Sequence, residues 1–257
     1  MTSLVRLSLR QKVHFENVHD WYEQHYYDRS AMRYRQRFML DVLLQGIDLN
    51  GCTVADVACG SGHNSLLLRE RFPRVRLVGF DISAKACADY RKNVGSEAHE
   101  IDLTSGLLMD ADFDLAMVIG GLHHCIVDLP GAMRTVDSLV KPGGRIAMYE
   151  PNRHFFLQAI RELWYRCDRH FDHQTEAALD HQQLFDLVAD HYCVELVKHF
   201  GGPAFYGVLN SMILRVPLAL KPWITPTLLW AESVYNQLPG RLPFPAFVAR
   251  WKKTLSP

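Results

Sequence analysis

The residues best placed to do chemistry begin at V-A-D-V-A-C-G-S-G-H-N, residues 54 to 64. Val54, Ala55, Val57 and Ala58 suit a buried parallel strand. Gly60 and Gly62 permit a tight turn and let a ligand approach the backbone closely. Leu66, Leu67 and Leu68 then open a helix whose free N–H groups face the same spot. Asp56 is the odd member, because a carboxylate inside a strand is costly without a partner. Asp81 closes the next apolar run, and an ionised carboxylate, acceptor-only, suits a bidentate hold on two ribose hydroxyls. His123 and His124 follow a later run, D-L-A-M-V-I-G-G. A histidine near neutral pKa can take a proton from a hydroxyl or amine. The pair is not read as a metal site, since adjacent residues on a turn seldom point at one ion.

Alternating strands and helices must position these residues. Ser30 is expected to cap a helix through about Leu44, with Phe38 and Val42 inward. Arg33 and Arg37, four apart, share a face of it. After Asn50-Gly51 comes the opening strand, then R-V-R-L-V-G-F-D as a second strand. Ser83 caps a helix that stops at Gly95. A short strand near Ala98 to Ile101 ends in Asp102, and Leu115 to Ile119, apolar on both faces, reads as a central strand. A helix over residues 130 to 140 and a strand from Arg145 to Glu150 follow. Such alternation implies a parallel sheet covered on both faces, with ligands beyond the carboxyl ends of its strands. Asp56, Gly60, Gly62, Asp81, Asp102, Gly120, His123, His124, Glu150 and His154 therefore share one edge.

The second half is less regular. Residues 153 to 170 read as an inserted helix, and Asp180 with Gln183 resembles a capping box for a helix through about His191. C-V-E-L-V-K-H-F is expected as a strand near the sheet edge, paired with P-A-F-V-A-R-W-K-K, residues 245 to 253. Residues 203 to 243 are then a mostly helical excursion, with 228 to 238 as a helix. The rival assignment pairs residues 207 to 216 with that edge strand.

With 257 residues the chain can bury a full core. Its 28 basic and 28 acidic residues cancel, which argues against a nucleic-acid surface. The six cysteines form no C-x-x-C pair, which favours reduced thiols and a cytoplasmic setting. The N-terminus has no apolar signal-peptide core, and no stretch is long enough for a membrane span.

A nicotinamide site would need a third glycine where Ser65 stands. Instead D-V-A-C-G-S-G, V-G-F-D-I-S, E-I-D-L, D-L-A-M-V-I-G-G-L-H-H and L-V-K-P-G-G-R-I-A-M-Y-E-P-N, in that order, resemble the class I S-adenosylmethionine-dependent methyltransferases. The resemblance is dense over residues 50 to 152 and looser over 180 to 257. It implies an α/β fold: a Rossmann-like, doubly wound, mostly parallel seven-stranded sheet with an antiparallel last strand. It also implies one domain, with a helical lid over residues 1 to 49, a cofactor-binding core over 50 to 152, and inserts at 153 to 174 and 203 to 243 as a substrate cap. The cofactor would be S-adenosyl-L-methionine, leaving as S-adenosyl-L-homocysteine. Gly60 and Gly62 would receive its methionine part and Asp56 its ammonium group. Asp81 would bind the ribose, Ile82 would pack on the adenine, and Asp102 would accept from the adenine amino group beside Leu103. Ile119 and Gly120 would offer backbone groups to the amine. Arg37, or Arg33 beside it, would pair with the carboxylate.

His123 or His124 stands at the rim where the methyl group would point, as a base or as a wall of the pocket. Tyr22, Tyr26, Tyr27 and His154 are candidate substrate contacts. G-G-L-H-H is not the N/D-P-P-Y/F run of enzymes acting on amide or base nitrogens, and no Pro-Cys nucleophile follows the strand. A small-molecule acceptor remains, with O-methylation slightly ahead of N-methylation. Competing readings are a methyltransferase fold without catalysis and a lipid-like acceptor. From residue 201 onward six basic residues face the single acid Glu232. With Trp223 and Trp230 that tract fits peripheral membrane contact, or a cap that buries its apolar face on the domain.

Overall fold

A computed structural model describes residues 26–106, 108, 112–167 and 176–255. The chain enters on helix α1 (Arg29–Arg35), continues through a π-helical turn (Gln36–Leu40) and ends that segment in α2 (Asp41–Leu43). The cap is Asp28, not Ser30: its Oδ1 accepts the Ser30 and Ala31 N–H groups. Its Oδ2 takes the buried Lys221 ammonium, so the acid fastens the lid as well as capping it.

Strand β1 (Thr53–Val57) leads into α3 (His63–Arg71), β2 (Arg76–Asp81), α4 (Ala84–Val94) and β3 (Ala98–Glu100). Ser83 caps α4 through the Ala86 N–H, and Gly95 ends it in the left-handed region, as the sequence predicts. Strand β4 (Phe113–Ile119), helix α5 (Leu129–Leu139) and strand β5 (Val140–Pro151) complete the first half. β5 starts earlier than expected because Val140 pairs with Phe113 before the register jumps to Leu115–Arg145. The intervening Lys-Pro-Gly-Gly is absorbed as an irregularity, with Gly143 at φ +76°.

Seven strands lie in the order β3-β2-β1-β4-β5-β7-β6, where β6 is Tyr192–Phe200 and β7 is Ala246–Lys253. β7 runs antiparallel to both β5 and β6, and all other pairings are parallel. The rival pairing of residues 207 to 216 with β6 is thereby excluded. β1 and β4 lie side by side, so chain order reverses between them, where open α/β sheets form a ligand crevice. Alternate residues serve opposite cores. Val54, Leu115 and Met117 pack with Leu68 and Tyr90 on one face, while Ala55, Ala116 and Val118 pack with Val136 and Leu139 on the other.

After β5 come α6 (Gln158–Cys167) and α7 (His181–Asp186). α7 is shorter than predicted: of the helix N–H groups the Asp180 side chain accepts that of Gln182, and turns replace helix from Leu187 on. Between β6 and β7 lie a π-helical turn (Phe205–Leu209) and α8 (Lys221–Tyr235), which begins seven residues before its expected start at 228. Among the described residues, no helix is long and apolar enough to cross a membrane.

Glu232 joins these outer parts. Its buried carboxylate accepts the Tyr34 hydroxyl at 2.6 Å and the N–H groups of Gly202, Ala204 and Phe205 at 2.9 to 3.3 Å. One side chain thus ties lid helix, post-β6 loop and α8 together. Removing one donor leaves a buried lone pair unfilled. Tyr34→Phe is expected to cost about 1.5–3 kcal/mol of unfolding free energy, read as a lower urea midpoint at unchanged slope.

Candidate active site

The carboxyl ends of β4 and β5, the N-terminal helical segment and residues from 155–161, 176 and 205–214 line a half-open cavity of about 460 Å³. Ile119, Gly120, His123 and His124 enter it from the end of β4, and Tyr149 and Pro151 from β5. Tyr26, Tyr27 and Arg35 come from the lid, and Arg161, Phe205 and Asn210 from the inserts.

His123 is held by Glu150, the last acid of β5. The Nδ1···Oε2 distance is 2.7 Å, and the carboxylate also accepts the N–H groups of Gly121, Leu122 and His123 at 2.8 to 3.2 Å. Burial pushes Glu150 up to about 8 even against those three donors. Burial likewise holds His123 well below its ordinary value, with the neighbouring His124 adding to the effect. The imidazole is therefore neutral at physiological pH. His124 lies against it, with ring centroids 3.8 Å apart, and its Nδ1 is 3.4 Å from the buried Glu176. The Ala177 N–H donates to the His123 carbonyl, pinning this turn from the far side of the chain.

The glycine turn divides its labour. A Cβ on Gly60 would meet nothing nearer than the Tyr27 hydroxyl at 3.9 Å, so this position faces open space under the lid. A Cβ on Gly62, at φ +85°, would strike Val94 and stand 2.8 Å from Tyr90 Cδ2, so this glycine serves the packing of α3 on α4 rather than a ligand. Asp81 accepts the Gly60 N–H on Oδ2 and the Ser83 N–H on Oδ1, both at 2.9 Å. A carboxylate oxygen can accept more than one hydrogen bond. Asp102 Oδ1 accepts the Thr104 N–H and hydroxyl, beside the buried Leu103. Asp81, Ile82, Asp102 and Leu103 lie beyond β2 and β3, outside the lining of the cavity itself.

Several expected roles are corrected. Asp56 does not reach the cavity: fully buried, it accepts the Ser65 hydroxyl at 2.7 Å, and Ser65 is 2.8 Å from the Tyr90 hydroxyl. Arg37 is exposed and donates to Ser233, and Arg33 is exposed as well. The lid cation that enters the cavity is Arg35, which lies about 200° around the helix from either. Its guanidinium sits 4.7 Å over the Tyr27 ring, and its buried Nε has no hydrogen-bond partner among the described residues. A sequence signal existed, since Arg35 stands in the inward stripe Ala31, Tyr34, Arg35, Phe38. His154 is engaged by Asp180 at 2.7 Å and stays out of the cavity lining. Tyr26 does line it and donates to Asn210 at 2.8 Å, while Tyr22 lies outside the described residues. Glu176, Arg35, Arg161 and Asn210 are site residues that sequence reasoning missed, and Glu150, placed on the shared edge, was given no role there.

A model described as a methyltransferase domain matches residues 54–144, the span that carries β1 to β4 and the turn of His123. The chain carries a methyltransferase domain and is similar to methyltransferases over most of its length. This methyltransferase is similar to the trans-aconitate 2-methyltransferase of Acidovorax ebreus, with 26% identity over 235 residues, 86% of this chain and 87% of the relative. It is 28% identical over 173 residues to a 2-phytyl-1,4-naphtoquinone methyltransferase of Thermosynechococcus vestitus, covering 65% of this chain and 66% of the relative. It shares its fold with the N-methyltransferase NodS of Bradyrhizobium japonicum, solved in complex with S-adenosyl-L-homocysteine. The TM-score is 0.54 at 12% identity, over 88% of each chain. In this methyltransferase an S-adenosylmethionine site fits what the residues offer: a bare backbone at Gly60, an acceptor pair at Asp81 and an incompletely paired buried cation at Arg35.

Asp56 carries a test of its own. Burial raises it to about 7, against the pull of the Ser65 hydrogen bond. A carboxyl whose folded pKa lies above its unfolded one stabilises at low pH and loses that contribution as pH rises through the folded value. The melting temperature of the wild type is expected to fall from about pH 5 to about pH 8, and that of Asp56→Asn to fall less. Calorimetric scans of both across that range provide the check.

Proposed function

We propose that the chain transfers a methyl group from S-adenosylmethionine to an oxygen of a small-molecule acceptor in the cavity, with His123 as general base. The observation that carries this reading is the 2.7 Å contact between His123 Nδ1 and Glu150 Oε2 at the cavity wall. When bound, the cofactor supplies a methyl group already activated by its sulfonium. Asp81 holds the ribose hydroxyls, and Ile82, Asp102 and Leu103 the adenine side. Gly60, Ile119 and Gly120 receive the amino-acid part, and Arg35, in place of Arg37, pairs with its carboxylate. Residues 1 to 49, 50 to 152, and the inserts 153 to 174 and 203 to 243 act as lid, core and cap of one domain.

His123 keeps its Nδ1 proton on Glu150 and takes the acceptor's hydroxyl proton at Nε2 as the oxygen attacks. The neutral imidazole that burial favours is the form this needs. His124 and Glu176 wall the acceptor beside it. Oxygen is favoured over nitrogen because a hydroxyl must lose its proton during attack, whereas an amine already offers a lone pair. The cavity supports a small acceptor, as do relatives named for trans-aconitate and a phytyl naphthoquinone.

Cofactor binding is tested by calorimetry with S-adenosyl-L-homocysteine. Wild type is expected to bind in the micromolar range, with Asp81→Ala and Arg35→Gln each weaker by about tenfold or more, since each removes a charge-assisted hydrogen-bonding group. No heat on folded wild-type protein would contradict the reading. Once a screen for released S-adenosyl-L-homocysteine has found an acceptor, His123→Gln is expected to lower kcat by about 10²–10⁴. Turnover near wild type in that variant would remove His123 as the base. The Glu150–His123 pair sheds its proton as pH rises through about 8, leaving Nε2 free to accept. Wild-type kcat/KM is therefore expected to rise through that range, and Glu150→Gln to lose this limb.

A further inference from the structure

Helix α8 is built inside out relative to an ordinary surface helix. Its buried residues are Lys221, Thr225, Leu229 and Glu232, and the three polar ones each have a partner: Lys221 on Asp28, Thr225 on the Lys221 carbonyl, Glu232 on Tyr34. Its solvent face is apolar. Trp223 is 82% exposed, Trp230 68% and Val234 51%. At 100° per residue these three fall within about 40° of one another around the axis, with Leu220 about 60° from Trp223. A helix that merely capped the domain would turn those tryptophans inward and leave the charges in water.

Two further observations say what covers this stripe. The first is charge. Between residues 203 and 243 the charged side chains are Arg215, Lys221, Glu232 and Arg241. Lys221 and Glu232 are buried, so the exposed charges of the excursion are Arg215 and Arg241, both positive. The second is continuity with the cavity. Ile213 and Leu214 line it, as do Leu157 and Ile160 of the opposite insert, and Leu157, Ile160 and Leu214 are also exposed. From Leu214 the exposed apolar positions continue through Leu218 and Leu220 to Trp223.

We propose that the face of α8 docks this protein on an anionic lipid bilayer surface. Tryptophans seat in the headgroup zone, where an amphipathic ring has both apolar and polar surroundings, and Arg215 and Arg241 meet lipid phosphates. The depth is interfacial, since no described helix is long and apolar enough to cross. A protein partner would have to match an apolar stripe on a tract whose exposed charges are both positive, whereas an anionic bilayer matches both features without further specificity. One consequence, which rests on the methyl-transfer reading where the docking does not, is that the acceptor is an amphiphile. Its polar end reaches His123, and its apolar tail leaves between Leu157, Ile160 and Leu214.

The test is sedimentation of the full chain with sucrose-loaded phosphatidylcholine vesicles, with and without about one-third phosphatidylglycerol, at low and high salt. Wild type is expected to pellet with the anionic vesicles and to be released by salt. The Trp223→Ser/Trp230→Ser double variant is expected to lower the partition coefficient by about tenfold or more. Arg215→Glu/Arg241→Glu is expected to abolish the preference for anionic over neutral vesicles. Calorimetry with S-adenosyl-L-homocysteine on each variant reports that the core is intact. Failure of wild type to pellet overturns the docking, as does equal pelleting of the double tryptophan variant. A dimer that binds no vesicles and separates on tryptophan replacement also overturns it, making the stripe a subunit interface. Vesicle binding without any cofactor heat leaves the docking standing and removes the methyl-transfer reading instead.

Discussion

The geometry of the site depends on the burial of one carboxylate, Glu150. With no solvent exposure its lone pairs must be filled from within the protein. The donors are the N–H groups of Gly121, Leu122 and His123 and the His123 imidazole, all from the turn that follows β4. The constraint runs both ways: the carboxylate shapes the turn, and the turn supplies what the carboxylate needs. β4 and β5 are adjacent parallel strands, so their carboxyl ends stand side by side and bring the two together. Those hydrogen bonds aim the imidazole, and the burial that creates the need for them also suppresses its charge.

Glu232 is the counterpart for the outer shell. It lies on a helix between the last two strands, yet its donors are Tyr34 of the lid and backbone groups after β6. Asp28 and Lys221 add a second tie between the same lid helix and α8. Helix α1, the π-helical turn after β6 and α8 thus share an apolar cluster of Ala31, Tyr34, Phe205 and Leu229, and the buried polar contacts add direction to it. That arrangement keeps Arg35 and Tyr27 over the glycine turn, and it leaves the apolar side of α8 facing outward.

Much of the fold was legible in the chain itself. β1, β2, β4, β6 and β7 are apolar runs or alternations bounded by glycine, asparagine or aspartate, and Ser83 and Gly95 bracket α4 as their side chains dictate. These signals are local, because strand burial and helix capping involve residues a few positions apart. The errors arise mostly where a contact from elsewhere in the chain intervenes. Asp28 outcompeted Ser30 as a cap because it also bonds Lys221, 193 positions away. α7 stopped at Asp186, where turns take over from helix. Lys-Pro-Gly-Gly joined β5 because the strand pairs on both sides of it.

Sequence alone determined which residues gather at one edge of the sheet, because the carboxyl ends of parallel strands share that edge whatever their side chains do. It therefore placed Asp81, Asp102, Gly120, His123 and His124 correctly as neighbours. Only the tertiary structure decided which of them face the cavity and which are spent on the fold. Asp56 went to Ser65, Gly62 to the packing of α4, His154 to Asp180 and Arg37 to Ser233. Arg35 and Glu150 were drawn into the site instead. The reason is that a polar side chain is committed by the donors and acceptors within about 3 Å of it, and in this chain those partners come from remote segments that no spacing reveals.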